Sequence, residues 1–249
     1  SRVSRGLGDV YKRQILDYAA SFNESSERDN WFEPKGYLTD YYTDEAIKVI
    51  ESNKNRPFFL YLAHWGVHTP LQALKSDYDE LTYISDHVER VYAAMIKSLD
   101  RSVGRIVESL QENGLSENTW IIFTSDNGGA GYIGLRYINS PYRGWKLTLF
   151  EGGIRVPLIF WKDGIEQQQL TQRATHIDIM PTIHGLVDNR LEHEVDGIDL
   201  FSDQYDLNSR PIFWKTGHNK VVIQDNWKLQ VSDYPCLLYT SDAADDTCC

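Results

Sequence analysis

The amino-acid sequence predicts an α/β fold, and three observations carry that expectation. Apolar runs of strand length recur along the 249 residues: PFFLYLA (57–63), TWIIFT (119–124) and VPLIFW (156–161). Amphipathic helical stretches fill the intervals, the order expected of βαβ units around a mostly parallel central sheet flanked by helices. From about residue 204 the pattern changes to strands alone, as at the start of a smaller antiparallel subdomain.

Each element has its own signal. TDEAIKVIESN (43–53) reads as a short amphipathic helix with Thr43 or Asp44 as its cap. PFFLYLA is continuously apolar, as in a strand buried on both faces. A long helix is expected over 86–113. Val88, Val91, Tyr92, Met95, Leu99, Ile106, Val107 and Leu110 recur there at three- and four-residue steps, and Gly114 ends the run. TWIIFT and VPLIFW are the next buried strands. HIDIMPTIHGLV (176–187) suits a helix with Pro181 near its first turn. RPIFWKT (210–216) and VVIQDNWKLQV (221–231) read as strands, the latter a hairpin turning at Asp225-Asn226.

Composition bounds the function classes. Hydrophobic residues make up 41% of the chain and mean hydropathy is -0.45, as in a globular protein. A net charge of -11 argues against a nucleic-acid partner, which needs clustered Lys and Arg. No run of 18 apolar residues is present, so no membrane span is expected. The two ends differ in character from the middle. SRGLGDVYKRQ (4–14) and CLLYTSDAADD (236–246) resemble translated adaptor sequence from DNA library preparation, so 1–14 and 236–249 are set aside as non-native flanks. All three cysteines, Cys236, Cys248 and Cys249, lie in the second flank. Residues 15–235 therefore say nothing about redox compartment.

Three loops carry the candidate chemistry. In an open α/β sheet, ligands bind beyond the carboxyl ends of the strands. HWGVHTP (64–70) follows the first apolar run, SDNGG (125–129) follows the second, and GWKLTLFEGGIRVP (144–157) leads into the third. Asp126 and Asn127 offer a carboxylate and an amide oxygen on adjacent residues, which suit a hard cation such as calcium. Gly128 and Gly129 let the backbone bend close to it. As an isolated string, SDNGG reads more readily as a surface turn than as a metal site. Lys146 could hold an anionic oxygen as a compact point charge or simply be solvated. Glu151 and Arg155 could pair across the Gly152-Gly153 turn. His68 could donate a proton to a leaving group, with His64 as the competing candidate.

At this point the residues carry a resemblance. FFLYLAHWGVHTPLQA, VYAAMIKSLDRSVGRIV, IIFTSDNGG, YRGWKLTLFEGGIRVPLIFW and HIDIMPTI, in this order, are similar to successive blocks of the type I, arylsulfatase-like sulfatases. The resemblance covers about 36–235 and implies an alkaline phosphatase-like α/β sandwich. On that scheme 15–203 is the C-terminal part of the catalytic domain and 204–235 begins the C-terminal subdomain. It further implies a sulfuric ester hydrolase in which Asp126 and Asn127 are calcium ligands and Lys146 contacts the sulfate group. His68 would sit beside the leaving-group oxygen, and Trp214, Lys215 or His218 would face the substrate. The substrate class it implies is a sulfated small molecule or polysaccharide, and the compartment an extracellular, periplasmic or lysosomal one.

The sequence departs from that family: the nucleophile motif, the upstream aspartates of the calcium site and the upstream lysine and histidine are not found in it. The family nucleophile is a formylglycine made in a Cys/Ser-x-Pro-x-Arg motif, and none occurs here. Ser140-Pro141-Tyr142-Arg143 has the wrong spacing. The motif, with the remaining calcium ligands, is expected upstream of the blocks, so the 249-residue chain alone is expected to be inactive. The rival readings are a phosphatase or phosphonate monoester hydrolase of the same superfamily, and a binding relative without a nucleophile. For the former, His176 and Asp178 would be the tempting zinc ligands, but HIDIMPTI fits a strand-to-helix junction in which His176 is structural.

Overall fold

The computed structural model describes residues 34, 36–187, 193–202, 209–231 and 238–240. The chain divides into two compact units, Ser1–Ser116 and Glu117–Cys249.

The described part of the first unit is helical. α1 (Leu38–Asn53) packs on the long helix α3 (His87–Glu112), and the short α2 (Lys75–Glu80) packs on α3 as well. α3 begins where the sequence predicts, because the Asp86 side chain accepts from the Glu89 amide at 2.8 Å. α1 begins five residues earlier than expected. Thr43 is not its cap: it lies fully buried at mid-helix, on the inner stripe Thr39, Thr43, Ala46, Ile50. Its hydroxyl donates to the Thr39 carbonyl at 2.7 Å and lies 2.6 Å from the Ser102 hydroxyl of α3. α2 is clamped by buried Asp77, which receives both Arg101 guanidinium nitrogens (2.7 and 2.9 Å) and the Ser98 hydroxyl (2.8 Å). The Arg101 guanidinium holds the Asp77 carboxyl below its ordinary pKa.

The expected strand at 57–63 forms no ladder with any described residue. Its exposure alternates: Phe59 and Tyr61 are 75% and 76% exposed, whereas Phe58, Leu60 and Leu62 are half-buried. A strand buried on both faces would show no such alternation.

The second unit holds two sheets. β1 (Ile121–Thr124) pairs with β2 (Leu158–Trp161) in antiparallel register, Ile121 opposite Trp161 and Thr124 opposite Leu158. The mostly parallel order expected from alternating strands and helices is thus not found among the described strands. A parallel crossover needs an intervening element that returns the chain across the sheet. Residues 125–157 instead form loops, a short 3-10 turn and the one-turn helix α4 (Glu151–Ile154), and bring the chain back alongside β1. α5 (Ile179–Leu186) follows a 3-10 turn at His176–Asp178, with Pro181 in its first turn as expected.

The second sheet is an antiparallel meander of β3 (Ile212–Thr216), β4 (Asn219–Gln224), β5 (Trp227–Val231) and β6 (Leu238–Thr240). β6 lies within the stretch set aside as a flank. The hairpin turn falls at Asp225-Asn226 as expected, with Asp225 at φ +48°. Ile212, Val221 and Ile223 line the buried face, where Leu149 packs with Val221 and Ile223, and Ile154 and Trp214 close the cluster.

Candidate functional site

The SDNGG segment leaves β1 directly, and its first residues are pinned. The Thr124 hydroxyl donates to the Pro157 carbonyl at 2.9 Å. His176 Nε2 lies 2.9 Å from the Ser125 carbonyl, which can only accept, so that nitrogen carries the proton. The Ser125 hydroxyl donates across the turn to the Asn127 carbonyl at 2.9 Å. Asp126 is left exposed at the tip, and its carboxylate takes no hydrogen bond or ion pair from the described residues. Asn127 is half-buried beside it.

The same loop is hydrogen-bonded to the lysine loop. The Gly128 amide donates to the Gly153 carbonyl and the Lys146 amide to the Gly129 carbonyl, both at 3.0 Å. Asn139 closes the arrangement from the side. Its Oδ1 accepts from the Gly129 amide at 2.8 Å, and its Nδ2 donates to the Gly129 and Gly144 carbonyls at 3.0 Å each. The Gly152 amide donates to the Arg143 carbonyl at 2.7 Å. The glycines are required by close approach more than by turn geometry. A Cβ on Gly128 would lie 1.8 Å from the Gly152 carbonyl oxygen, and one on Gly152 would lie 2.3 Å from that of Gly144. Asp126, Asn127 and Lys146 are thus held on two backbone segments that touch.

The expected Glu151–Arg155 pair is the weaker of two contacts, at 3.9 Å. Glu151 Oε1 instead accepts from Lys228 Nζ of β5 at 2.8 Å, and Lys228 is completely buried. β5 is inverted relative to its apolar pattern. Trp227 and Leu229 are 59% and 48% exposed, while Lys228 and Gln230 point to the buried side.

His68 and His64 belong to the first unit. His68 Nδ1 donates to the Thr69 carbonyl at 2.8 Å, so Nε2 is the position that gains the second proton in the imidazolium form. Its ring lies 4.7 Å from that of Trp65. His64 is paired through Nε2 with the Ser102 hydroxyl at 2.9 Å, and its buried Nδ1 has no partner among the described residues. Burial lowers its pKa to about 4, so at pH 7 it is neutral and lacks the imidazolium proton that a general acid gives up. His218 sits exposed in the β3–β4 turn beside Gly217, which has φ +57°. No described hydrogen bond ties His218 to the Asp126 loop.

The residues tempting as zinc ligands are engaged structurally. His176 is the staple on Ser125. Asp178 is fully buried, with its oxygens bonded by Arg210 (2.7 and 2.6 Å) and by the Thr175 and Ile198 amides (2.7 and 3.0 Å). Burial raises the Asp178 pKa, but these bonds outweigh it and leave the carboxyl below its ordinary value. Asp126 with Asn127 fits part of a calcium shell: one carboxylate and one amide oxygen, adjacent and of the hard type. Among the described residues there is no group of three or more His, Cys, Asp or Glu side chains that would complete such a shell.

Sequence reasoning missed Asn139, Lys228 and Arg210. Asn139 reads as an ordinary turn residue, and Lys228 as the solvated member of an alternating strand. The apolar alternation of β5 pointed to the wrong face.

The fold and loops can be set beside known proteins. The sulfatase family profile matches residues 5–189. N-acetylgalactosamine-6-sulfatase of Mus musculus is 33% identical over 196 residues, 75% of this chain and 36% of its own length. The crystal structure of Ps i-CgsB, in complex with k-i-k-neocarrahexaose, is 30% identical with a TM-score of 0.77, covering 84% of this chain and 49% of that one. An alkaline phosphatase superfamily protein from Vibrio parahaemolyticus shares the fold at a TM-score of 0.62 and 16% identity, over 82% of this chain and 48% of its own. The chain spans about a third of the curated relative's length and about half of each solved structure's. With its metal-type loop bonded to its lysine loop on this α/β scaffold, the chain belongs to the sulfatase family, on the alkaline phosphatase-like fold.

Proposed function

We propose that the protein to which this chain belongs hydrolyses sulfate monoesters of a sulfated sugar polymer. The observation that carries this is the pair of backbone bonds, Gly128 to Gly153 and Lys146 to Gly129, that holds an acidic metal-type loop against a lysine. An acid-and-amide oxygen pair beside a cation suits a substrate whose charge sits on one compact group of oxygens. Asp126 and Asn127 would hold calcium, with further ligands from outside the described residues, and the ion would offset charge on the sulfuryl oxygens. The Lys146 ammonium offsets that charge from the other loop. His68, carrying its second proton on Nε2, protonates the departing alkoxide. The nucleophile, a formylglycine in this reading, is supplied by sequence upstream of the blocks described above. His218, on an exposed turn of the C-terminal sheet, contacts the sugar rather than the sulfate. The polymer substrate draws support from the solved relative bound to a carrageenan oligosaccharide.

The test is kinetic, on the protein completed from its source DNA, with 4-nitrophenyl sulfate and a phenyl phosphonate ester as competing substrates. Sulfate hydrolysis should dominate. Lys146→Ala and Asp126→Asn should each lower kcat/KM by about 10²- to 10³-fold, the range for removing one charge-stabilising group, and calcium chelation should do the same to the unsubstituted protein. Preferential phosphonate cleavage would establish the phosphonate hydrolase alternative. No turnover of either ester would leave a binding relative.

A further inference from the structure

We infer that residues 130–145 form a second, non-reacting binding site for a sulfated glycan chain, contiguous with the sulfate site; this deepens the functional proposal above and rests on it. The segment is closed at its base. Lys146 and Gly129 are joined by the 3.0 Å amide–carbonyl bond, and Asn139 ties both Gly129 and Gly144 from within. It is therefore a compact loop of the kind that often carries function, with its two ends at the residues proposed to bind sulfate.

Its composition suits an anionic ligand. Residues 127–150 contain Arg136, Arg143 and Lys146 but no Asp or Glu, in a protein of net charge -11. The same stretch exposes large rings: Tyr132 at 59%, Tyr137 at 83% and Trp145 at 52%. Two features make the loop a fixed support. The Trp145 ring lies so close to Gly131 that a Cβ there would be 2.7 Å from it. The Arg155 guanidinium lies 4.6 Å from the Tyr142 ring centre, a cation held over an aromatic face. Arg136 is exposed and makes no hydrogen bond or ion pair with the described residues.

Exposed rings with interspersed guanidinium groups, and no acid among them, match one ligand chemistry. Rings pack on the apolar faces of pyranose units, and the Arg guanidinium donates in a planar fork to a pair of anionic oxygens. An unsulfated glycan would use the rings alone, and a small aryl sulfate would not reach beyond the loop base. A sulfated polymer uses both. Local positive charge within an acidic surface also makes the attraction site-specific.

The experiment uses the 249-residue chain and two immobilised probes, carrageenan and the same polymer chemically desulfated. The variants are Arg136→Ser and Tyr137→Ala, both on exposed side chains outside the metal and lysine positions. The unsubstituted chain should bind the sulfated polymer at least tenfold more tightly than the desulfated one, with affinity falling as salt rises. The double variant should lose about tenfold while keeping its thermal midpoint. Equal binding of the two polymers, or unchanged binding by the double variant, overturns the proposal. In the completed protein, the double variant should raise KM for the polymer and leave kcat/KM for 4-nitrophenyl sulfate unchanged. Loss of polymer binding in a protein that cleaves no sulfate ester upholds this site and refutes the sulfatase reading. Normal aryl sulfate turnover with an unaltered polymer KM does the reverse.

Discussion

At the scale of single residues, the site depends on atoms that are absent. Gly128 has no Cβ because the Gly152 carbonyl occupies its place at 1.8 Å. Gly128→Ala must push the two loops apart and break the amide bond to Gly153. It is expected to cost about 3 kcal/mol, at the upper end for overpacking, measurable by urea unfolding. Asn139 tests the same contact from the side. Asn139→Ala leaves the Gly129 amide and two carbonyls without this partner, at a cost of about 1–3 kcal/mol. Asn139→Asp keeps the acceptor for the Gly129 amide but sets a carboxylate oxygen against two carbonyl oxygens, so it should be at least as destabilising as Ala. A milder effect of Asp would show that the two donated bonds carry little.

At the scale of elements, the lysine loop is held by the C-terminal sheet. Leu149 packs on Val221 and Ile223 of β4, and Glu151 of α4 receives the buried Lys228 of β5. Burial pulls the Lys228 pKa down, and the Glu151 charge beside it opposes that, as expected for a buried ion pair. Removing one partner strands the other. Lys228→Met should therefore cost about 3–5 kcal/mol, and combining it with Glu151→Leu should restore most of the loss. A double variant no more stable than Lys228→Met alone would count against a coupled pair. The inversion of β5 follows from the same contact: satisfying Glu151 from inside turns Trp227 and Leu229 outward. Local alternation carries no information about an acid on a distant helix.

At the scale of the whole molecule, pH is the informative variable. Half-buried His64 has its pKa lowered by desolvation to about 4 from an ordinary 6.5. Between these values the unfolded chain binds a proton that the folded chain does not. The His64 contribution is thus complete above pH 6.5 and is lost as pH falls through about 4. Asp77 and Asp178, both with lowered pKa, add a further loss as pH falls below the ordinary carboxylate value. Stability measured by urea unfolding should therefore begin to decline near pH 6.5, well above the carboxylate range. His64→Gln should flatten the limb between pH 6.5 and 4 and leave the lower limb intact. An unchanged upper limb in that variant would mean that another group controls it.

The sequence by itself determined the α/β class, the long helix from Asp86, the hairpin at Asp225-Asn226 and the family. It also singled out Asp126, Asn127, Lys146 and His68. These are readable because helix caps, turn residues and periodicity act over a few positions, and because five ordered blocks carry more information than any one of them. Only the tertiary structure decided the antiparallel pairing of β1 with β2, the lack of a ladder between 57–63 and any described residue, and the buried position of Thr43. It alone joined the SDNGG loop to Lys146 through Asn139, Gly128 and Gly153, and paired Lys228 with Glu151. The physical reason is the same in each case. Which strand neighbours which, and which polar group is satisfied from inside, depend on partners far along the chain. A buried charge or a missing Cβ makes sense only once that partner is in place.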